Sequence, residues 1–445
     1  MLIEQIHTVW REGGQVASVL SLDIAGAFNT VNHLRLLDNL RKKRIPMWFV
    51  RTVKSFLTDQ TTTLVVDGKE TAPRRLPARV PQGSPLSPIL FLFYNAPLLE
   101  AVNQPDLPMI PLGFADDINL LTYSESTIVN SVNLETAHDQ CLEWACTHSM
   151  RFALDKYTLT HFTRRRGIDI QTPVKLQGVE IQPKPVVRIL GLQLDTKLRW
   201  KAHEKTVTQK MDTQMLALQR TTASTWGATM LKARQVYQAV VRPALAYGAA
   251  LWHQPSSKPK GLAAKFQKHQ NLGLRIVLGA FRATPKRQLE TEAYVPPLDT
   301  WLNGQVARYQ ARIERSGIAQ VIRNACAAIR ARIRTRANRR RTASGPPADT
   351  PGSRRKLWAE DWVEALIEQW TQREKEIVLQ EWETRWYAEN RRISRRAQPN
   401  IDQGNRQVIP GNTPLTKKVL GLHKDLRKAE SALLVQARTG RIGLA

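Results

Sequence analysis

Two adjacent carboxylates, Asp116 and Asp117, lie in Gly113-Phe114-Ala115-Asp116-Asp117-Ile118-Asn119, between the short apolar runs Met109–Leu112 and Ile118–Thr122. Neighbouring carboxylates repel, and an uncompensated buried charge is costly, so such a pair calls for a cation. With no His or Cys beside them, these hard oxygen donors favour Mg²⁺ or Mn²⁺ over zinc. A third carboxylate, Asp23, ends the apolar run that begins at Val16, just before the chain breaks at Gly26. Brought beside Asp116, it could complete a site for two ions about 3.5–4 Å apart, which activate an attacking hydroxyl and neutralise a leaving pyrophosphate. Plainer readings stand next to this one: a solvated acidic turn for Asp116-Asp117 and a turn cap for Asp23. A third segment, Val80-Pro81-Gln82-Gly83-Ser84-Pro85-Leu86-Ser87-Pro88, precedes the apolar run Ile89–Tyr94. Gly83 lets backbone approach a ligand closely, and Gln82 and Ser84 offer hydrogen bonds. Ser87 reads as an N-cap and Pro88 as a first helical residue. On its own this segment is also just a Pro-rich turn into a helix.

The elements that must position these groups follow from periodicity. Val16–Asp23 reads as a buried strand, and the flanks of Asp116-Asp117 as a hairpin with acids at its tip. His33–Arg44 and Pro46–Thr58 alternate at helical spacing; Thr61–Val66 with Asp67-Gly68 reads as a tight hairpin. A helix runs from Pro88 toward Val102, an amphipathic helix covers Thr127–Cys146, and Phe152–Phe162 returns as a strand. The order predicts an α+β fold, a βαββαβ-like antiparallel sheet with helices behind it and acids on the opposite face. Lys175–Leu194 suggests short antiparallel strands with turns at Gly178 and Gly191. From Trp200 to about Arg315 the pattern is helical, interrupted near Gly227, Pro255–Lys260 and Pro296-Pro297.

In this order the motifs resemble the palm of a reverse transcriptase of the non-LTR (LINE-type) retrotransposons. SLDIAGAFNTVNH is similar to its first metal-binding motif, VPQGSPLSPILF to its template–nucleotide motif and GFADD to its second metal-binding motif. Trp144-Ala145, Phe152-Ala153-Leu154-Asp155-Lys156 and His161-Phe162 resemble the next palm motif, and Ile189–Asp195 the primer-grip turn. Val240–Gly248 and Pro296–Asp299 resemble the helical region that follows, so the likeness covers about residues 1–305. It implies an RNA-directed DNA polymerase that adds dNTP to a primer 3′-hydroxyl on an RNA template with two Mg²⁺ or Mn²⁺ ions. Asp23 and Asp116 would bridge the metals, Asp117 would support them, and the Ile24 carbonyl would add a ligand. Ala27 and Phe28 would border the nucleotide, with Phe28 as the gate against a 2′-hydroxyl or as core packing. Gln82 and Gly83 would contact the nascent base pair, Ser84 and Pro85 the template side, and Leu190-Gly191 the primer end. Lys156 would protonate or neutralise the departing pyrophosphate, or act only as an exposed lysine.

On this reading residues 1–165 form the palm with remnants of the fingers, 166–200 the primer-grip strands, and 201–318 a thumb-like helical region or an ordinary bundle. Residues 319–355 form an Arg-rich segment and linker, and 356–445 a basic, Trp-rich helical tail. Arginine is dense over Ile322–Arg341, which could grip phosphate, be a solvated basic face or serve as a localisation signal; Ser344–Gly352 reads as linker. Trp358, Trp362, Trp370, Trp382 and Trp386 at helical spacing point to packing rather than base stacking. Gln398–Pro414 reads as loop and Leu415–Arg438 as a closing amphipathic helix. Compared with such elements, most of the fingers upstream of the first motif and a zinc knuckle downstream are absent, so the chain is expected to be truncated at both ends. No endonuclease or ribonuclease H signature is found, and Asn29 and Ser149 stand where Asp and Gly are usual.

Bulk composition agrees with a polyanion partner: 66 Lys and Arg against 38 Asp and Glu give a formal net charge of +28. A hydrophobic fraction of 42% argues against a disordered basic tail. Cys141, Cys146 and Cys326 form no paired-ligand spacing, which suggests a reducing, intracellular compartment without separating nucleus from cytoplasm. No stretch is long and apolar enough to cross a membrane. Oligomeric state is not legible. Two other readings stay open: a catalytically inactive remnant that binds RNA or DNA electrostatically, and a scaffold that uses the Trp-rich tail for partners.

Overall fold

The computed structural model describes residues 1–343, except 14, 76–78, 104–106, 224 and 257–258, together with 376–389 and 415–439. It divides into two bodies, Met1–Arg199 with Ile322–Ala348, and Trp200–Val321 with Asp349–Ala445.

In the first body, helix α1 (Leu2–Gly13) leads into strand β1 (Val16–Asp23), followed by α2 (His33–Lys42) and α3 (Met47–Leu57). Two nested pairs come next: β2 (Thr61–Thr62) with β5 (Arg74–Arg75), and inside them β3 (Val65–Val66) with β4 (Lys69–Glu70). Asp67 and Gly68 both take positive φ, +51° and +73°, the geometry that makes Asp-Gly a hairpin turn. Then follow α4 (Ser87–Val102), β6 (Met109–Phe114), β7 (Asp117–Ser124), α5 (Thr127–His148), a 3₁₀ turn at Leu154–Lys156 and β8 (Thr158–Phe162). Two hairpins complete the run, β9 (Val174–Leu176) with β10 (Val179–Ile181), and β11 (Val186–Ile189) with β12 (Leu192–Asp195).

The main sheet has the order β6-β7-β1-β8, all antiparallel, so the chain follows the expected βαββαβ path. Helices α4 and α5 pack together, α4 against β6 and α5 against β7 and β1. β1 and β7 are buried along nearly their whole length, which is why they read as apolar runs instead of alternating ones. Apart from half-buried Ser21, exposure returns at their shared end, at Asp23 and Asp117. Leu20, Leu36, Leu40, Leu90, Tyr94, Leu98, Leu120 and Leu159 fill the core, each buried leucine contributing about 1.5–3 kcal/mol.

Three local expectations are corrected. Ser87 is not the N-cap of α4; Leu86 holds that place, and the Ser87 hydroxyl turns back to donate to the Pro81 carbonyl, closing the Pro-rich loop. The returning strand is shorter than Phe152–Phe162, because the 3₁₀ turn at Leu154–Lys156 interrupts it and only Thr158–Phe162 pairs with β1.

The second body is helical: α6 (Lys201–Thr221), α7 (Met230–Val236), a π turn at Tyr237–Val241, α8 (Arg242–Leu245), α9 (Ala249–Trp252), α10 (Gly261–Leu278), α11 (Lys286–Ala293) and α12 (Leu298–Arg315). The next helix, α13 (Ile318–Ala343), belongs from Ile322 onward to the first body; the second continues with α14 over residues 376–389, a 3₁₀ segment Lys417–His423 and α15 (Lys428–Arg438). The third correction lies here: the closing helix is broken, with Asp425 at φ +64° between its two pieces. A Cβ on Gly273 would stand 2.4 Å from Cε2 of buried Tyr237, so α10 can approach that ring only with glycine there. The stretches 240–248 and 296–299 interlock: Arg242 Nη2 and Gln270 Nε2 both donate to the Pro296 carbonyl, at 2.7 and 3.1 Å, and the Arg242 guanidinium lies 4.2 Å over Trp301. Trp382 and Trp386 are buried, Trp386 under Arg287 at 4.5 Å, so these two serve packing. Trp358, Trp362 and Trp370, the linker at 344–352 and the loop at 398–414 lie outside the described residues. Among the arginines of α13, Arg330 and Arg334 pair with Glu12 at 3.4 and 3.2 Å, and Arg332 donates to the Leu107 carbonyl.

Candidate functional site

Register brings the acids together. In the β1–β7 ladder Asp23 stands directly opposite Asp117, at the one end of the sheet where the strands emerge from the core. A slip of one residue would turn Asp23 to the other face and away from Asp117. The β6–β7 hairpin turns through Ala115-Asp116, with Phe114 opposite Asp117 and Ala115 at φ +53°. Asn95 on α4 donates from Nδ2 to the Ala115 carbonyl at 3.1 Å and so anchors this turn to the helix behind the sheet. A Cβ on Gly113 would meet Leu99 Cδ1 at 2.9 Å, which ties the same strand closely to α4.

Burial raises the Asp117 carboxyl above its usual range, and the like charges of Asp116 and then Asp23 raise it further. Lys156 Nζ donates to Asp23 Oδ2 at 3.0 Å from the 3₁₀ turn, and that bond holds the ammonium above its ordinary pKa. The Ala153 amide donates to the Asp23 carbonyl at 3.0 Å, fastening this turn to the end of β1. Lys156 offsets the charge of Asp23 alone, and the carboxylates of Asp23, Asp116 and Asp117 are hard oxygen donors of the kind that suit a divalent cation. Among the described residues, however, no three His, Cys, Asp or Glu side chains are grouped as a ready metal cage.

The Gln82 segment lies against the loop after Asp23. The Val80 amide donates to the Phe28 carbonyl at 2.9 Å, the Arg79 amide to Val31, and Gln82 Nε2 to Asn29 Oδ1 at 3.3 Å. Gly83, at φ +93°, has open space where a Cβ would be, and Ser84 Oγ accepts from the Leu86 amide. Gln82, Gly83 and Pro85 are exposed, whereas Ile24 and Ala27 are buried. Phe28 is half-buried with its ring 5.0 Å from that of Phe91, so it shares in the core. Leu190-Gly191 forms the turn of a separate hairpin, joined along β8 by Lys184 N–Leu159 O and Thr163 N–Thr196 O. Both turn residues have positive φ, +46° and +80°.

Four contributors were not foreseen from sequence: Asn95, Asn29 as the partner of Gln82, Lys156 as the partner of Asp23, and Asn119, which accepts from Ser21 Oγ at 2.7 Å. Only Asn95 carried a signal, a lone amide in an otherwise apolar helical run.

The reverse transcriptase (RNA-dependent DNA polymerase) family model matches residues 1–194. The RNA-directed DNA polymerase from mobile element jockey of Drosophila melanogaster is 28% identical over 354 residues, 76% of this chain and 37% of that protein. The Pol polyprotein from type-1 retrotransposable element R2 of Popillia japonica is 34% identical over 146 residues, 31% of this chain and 24% of that protein. The chain thus spans little more than a third of the jockey protein's length. A telomerase from Candida tropicalis, solved with a fragment of telomeric RNA, superposes at a TM-score of 0.37 and 10% identity, covering 83% of this chain and 51% of that one. That similarity is too weak to inform the fold. No described helix is long and apolar enough to cross a membrane.

Proposed function

We propose that this chain, whose residues 1–194 match the reverse transcriptase family model and which is similar to the polymerases of non-LTR retrotransposons, extends a DNA primer on an RNA template at the acid end of β1 and β7. The observation that carries this reading is the cross-strand pairing of Asp23 with Asp117, with Asp116 on the adjoining turn. The primer 3′-oxygen bonds to the α-phosphorus of the incoming dNTP, the bond to the β-phosphate oxygen breaks, and pyrophosphate leaves. A pair of Mg²⁺ or Mn²⁺ ions held by Asp23, Asp116 and Asp117, with the Ile24 carbonyl, would supply the positive charge this chemistry needs. Lys156, which pairs with Asp23, would release it and give its ammonium to the departing phosphates. Ala27 and Phe28 border the sugar, and Gln82 and Gly83 approach the nascent base pair from a loop held by Asn29. Ser84 and Pro85 face the template, and Leu190-Gly191 supports the primer end. The sheet is then the palm, and the helical second body is the thumb.

A second reading, a polynucleotide binder without catalysis, is favoured by the engagement of Asp23 with Lys156 and by the absence of a ready three-donor cage among the described residues. Primer extension on homopolymer RNA with Mg²⁺ or Mn²⁺ separates the two. Asp116→Ala abolishes extension and leaves folding and RNA retention on filters intact; extension at the wild-type rate in that variant overturns the polymerase reading.

A further inference from the structure

The corner between α2 and α3 carries features that the polymerase site does not use. Residues 35–54 hold seven cations, Arg35, Arg41, Lys42, Lys43, Arg44, Arg51 and Lys54, against the single acid Asp38. All seven are exposed. Two are partly neutralised: Lys42 pairs with Asp38 at 2.9 Å, and Lys43 pairs with Glu100. Among the described residues the other five have no carboxylate at ion-pair distance. Asp38 is held below the usual carboxylate range, first by its hydrogen bond from Lys42, with Arg35 and Arg41 adding to the field.

Next to these cations stands Trp48, in the first turn of α3, with 70% of its surface exposed, beside Met47 at 50%. The following residue, Phe49, turns inward onto the core and meets the indole edge-on at 5.7 Å, so the backbone presents Trp48 outward while its neighbour anchors the helix. A tryptophan this exposed forgoes most of the burial that normally places it. An open shallow cavity of about 230 Å³ on the other flank of α2 is lined by Arg35, Lys42, Lys43 and His148, with Asp38 and Glu100.

We infer that the α2–α3 corner is a contact for single-stranded RNA, distinct from the acid cluster, in which a base stacks on Trp48 while Arg41, Arg44 and Arg51 hold the flanking phosphates. Exposed aromatics among unpaired cations are the chemistry of sequence-tolerant single-strand binding, because every base has a π-face and every linkage a charge. This inference rests on the reading of the chain as a nucleic-acid polymerase for its partner, and on nothing in the catalytic step.

The test is fluorescence-anisotropy binding of a labelled 12-nucleotide oligo(U) RNA to the full chain carrying Asp116→Ala, without dNTP. Trp48→Ala lowers affinity about tenfold, within the range for loss of one base–aromatic stack. Trp48→Phe, which keeps a ring, restores most of it. Arg41→Ala with Arg44→Ala flattens the slope of log affinity against log salt by roughly 0.7 for each lost phosphate contact. Photocrosslinking with 4-thiouridine RNA places an adduct on the peptide that contains Trp48. Equal affinity in wild type and Trp48→Ala, with no adduct there, overturns the inference. So does a dimer that Trp48→Ala disperses at unchanged RNA affinity, which would assign the face to a second copy of the chain. Primer extension by the otherwise unaltered chain keeps the outcomes apart: extension with RNA binding indifferent to Trp48 rejects only this contact, and corner-dependent binding without extension rejects only the polymerase reading.

Discussion

Replacing Glu290 by Gln should remove a pH dependence built into the helical body. Glu290 on α11 is 5% exposed, and its Oε1 accepts from Gln267 Nε2 at 3.0 Å. Burial pushes its carboxyl up to about 8 from an ordinary 4.5, with Lys286 opposing and the charges of Asp299 and Glu389 adding. The folded state therefore holds a proton that the unfolded chain has lost across the interval from 4.5 to 8. Stability is full below pH 4.5, falls as pH rises through that interval, and levels off above 8. At about 1.4 kcal/mol per pH unit, the loss across the whole interval is at most about 5 kcal/mol. Glutamine keeps the acceptor for Gln267 and cannot ionise. The variant should thus match wild type near pH 5 and exceed it by about 2–4 kcal/mol at pH 8, which is on the order of 10 °C in Tm for a body of this size. Urea denaturation followed by tryptophan fluorescence at pH 5, 6, 7 and 8 measures the difference. A gap between the two proteins that stays constant with pH would refute the reasoning.

Three further outcomes bear on the first body. Phe28→Ala should relax selection of dNTP over rNTP and cost about 1–3 kcal/mol of stability through the lost packing on Phe91; unchanged selectivity in an active preparation rejects the gate. Ser149 caps α5 at φ +55° and is exposed, so Ser149→Gly should raise stability by about 0.5–1 kcal/mol in urea melts, and no gain would contradict the strain. Leu190 is 45% exposed in a turn whose φ of +46° suits Asn or Gly. Leu190→Asn should therefore stabilise the fold by a few tenths of a kcal/mol while weakening primer affinity, and equal primer affinity would remove the role proposed for this turn.

What sequence revealed and what it hid divide along physical lines. The acids were legible because a carboxylate that ends a buried strand, and two more at a hairpin tip, have few structural uses. The register that sets Asp23 opposite Asp117 was not legible, because β1 and β7 are buried on both faces and carry no alternating pattern to align. The backbone requirement at 149 was visible as a departure, Ser where Gly is usual, and the left-handed φ explains it. Lys156 meeting Asp23 was hidden because the pair is 133 residues apart and the short 3₁₀ turn that presents the lysine has no periodic signal. Asn95 and Asn29 were hidden for a related reason: each satisfies a partner supplied by another element. The break at Asp425 was missed because helical periodicity on both sides outweighed one polar residue. The Arg-rich stretch read as free charge, yet Glu12 and the Leu107 carbonyl take up three of its arginines.

Mn²⁺ titration followed by electron paramagnetic resonance, comparing wild type with Asp23→Asn and Asp117→Asn, addresses the convergence of the three carboxylates most directly. Wild type should bind Mn²⁺, and each variant should lose at least tenfold in affinity while its far-ultraviolet circular dichroism stays the same. Equal Mn²⁺ affinity in all three proteins would contradict a shared cation site at the end of β1 and β7.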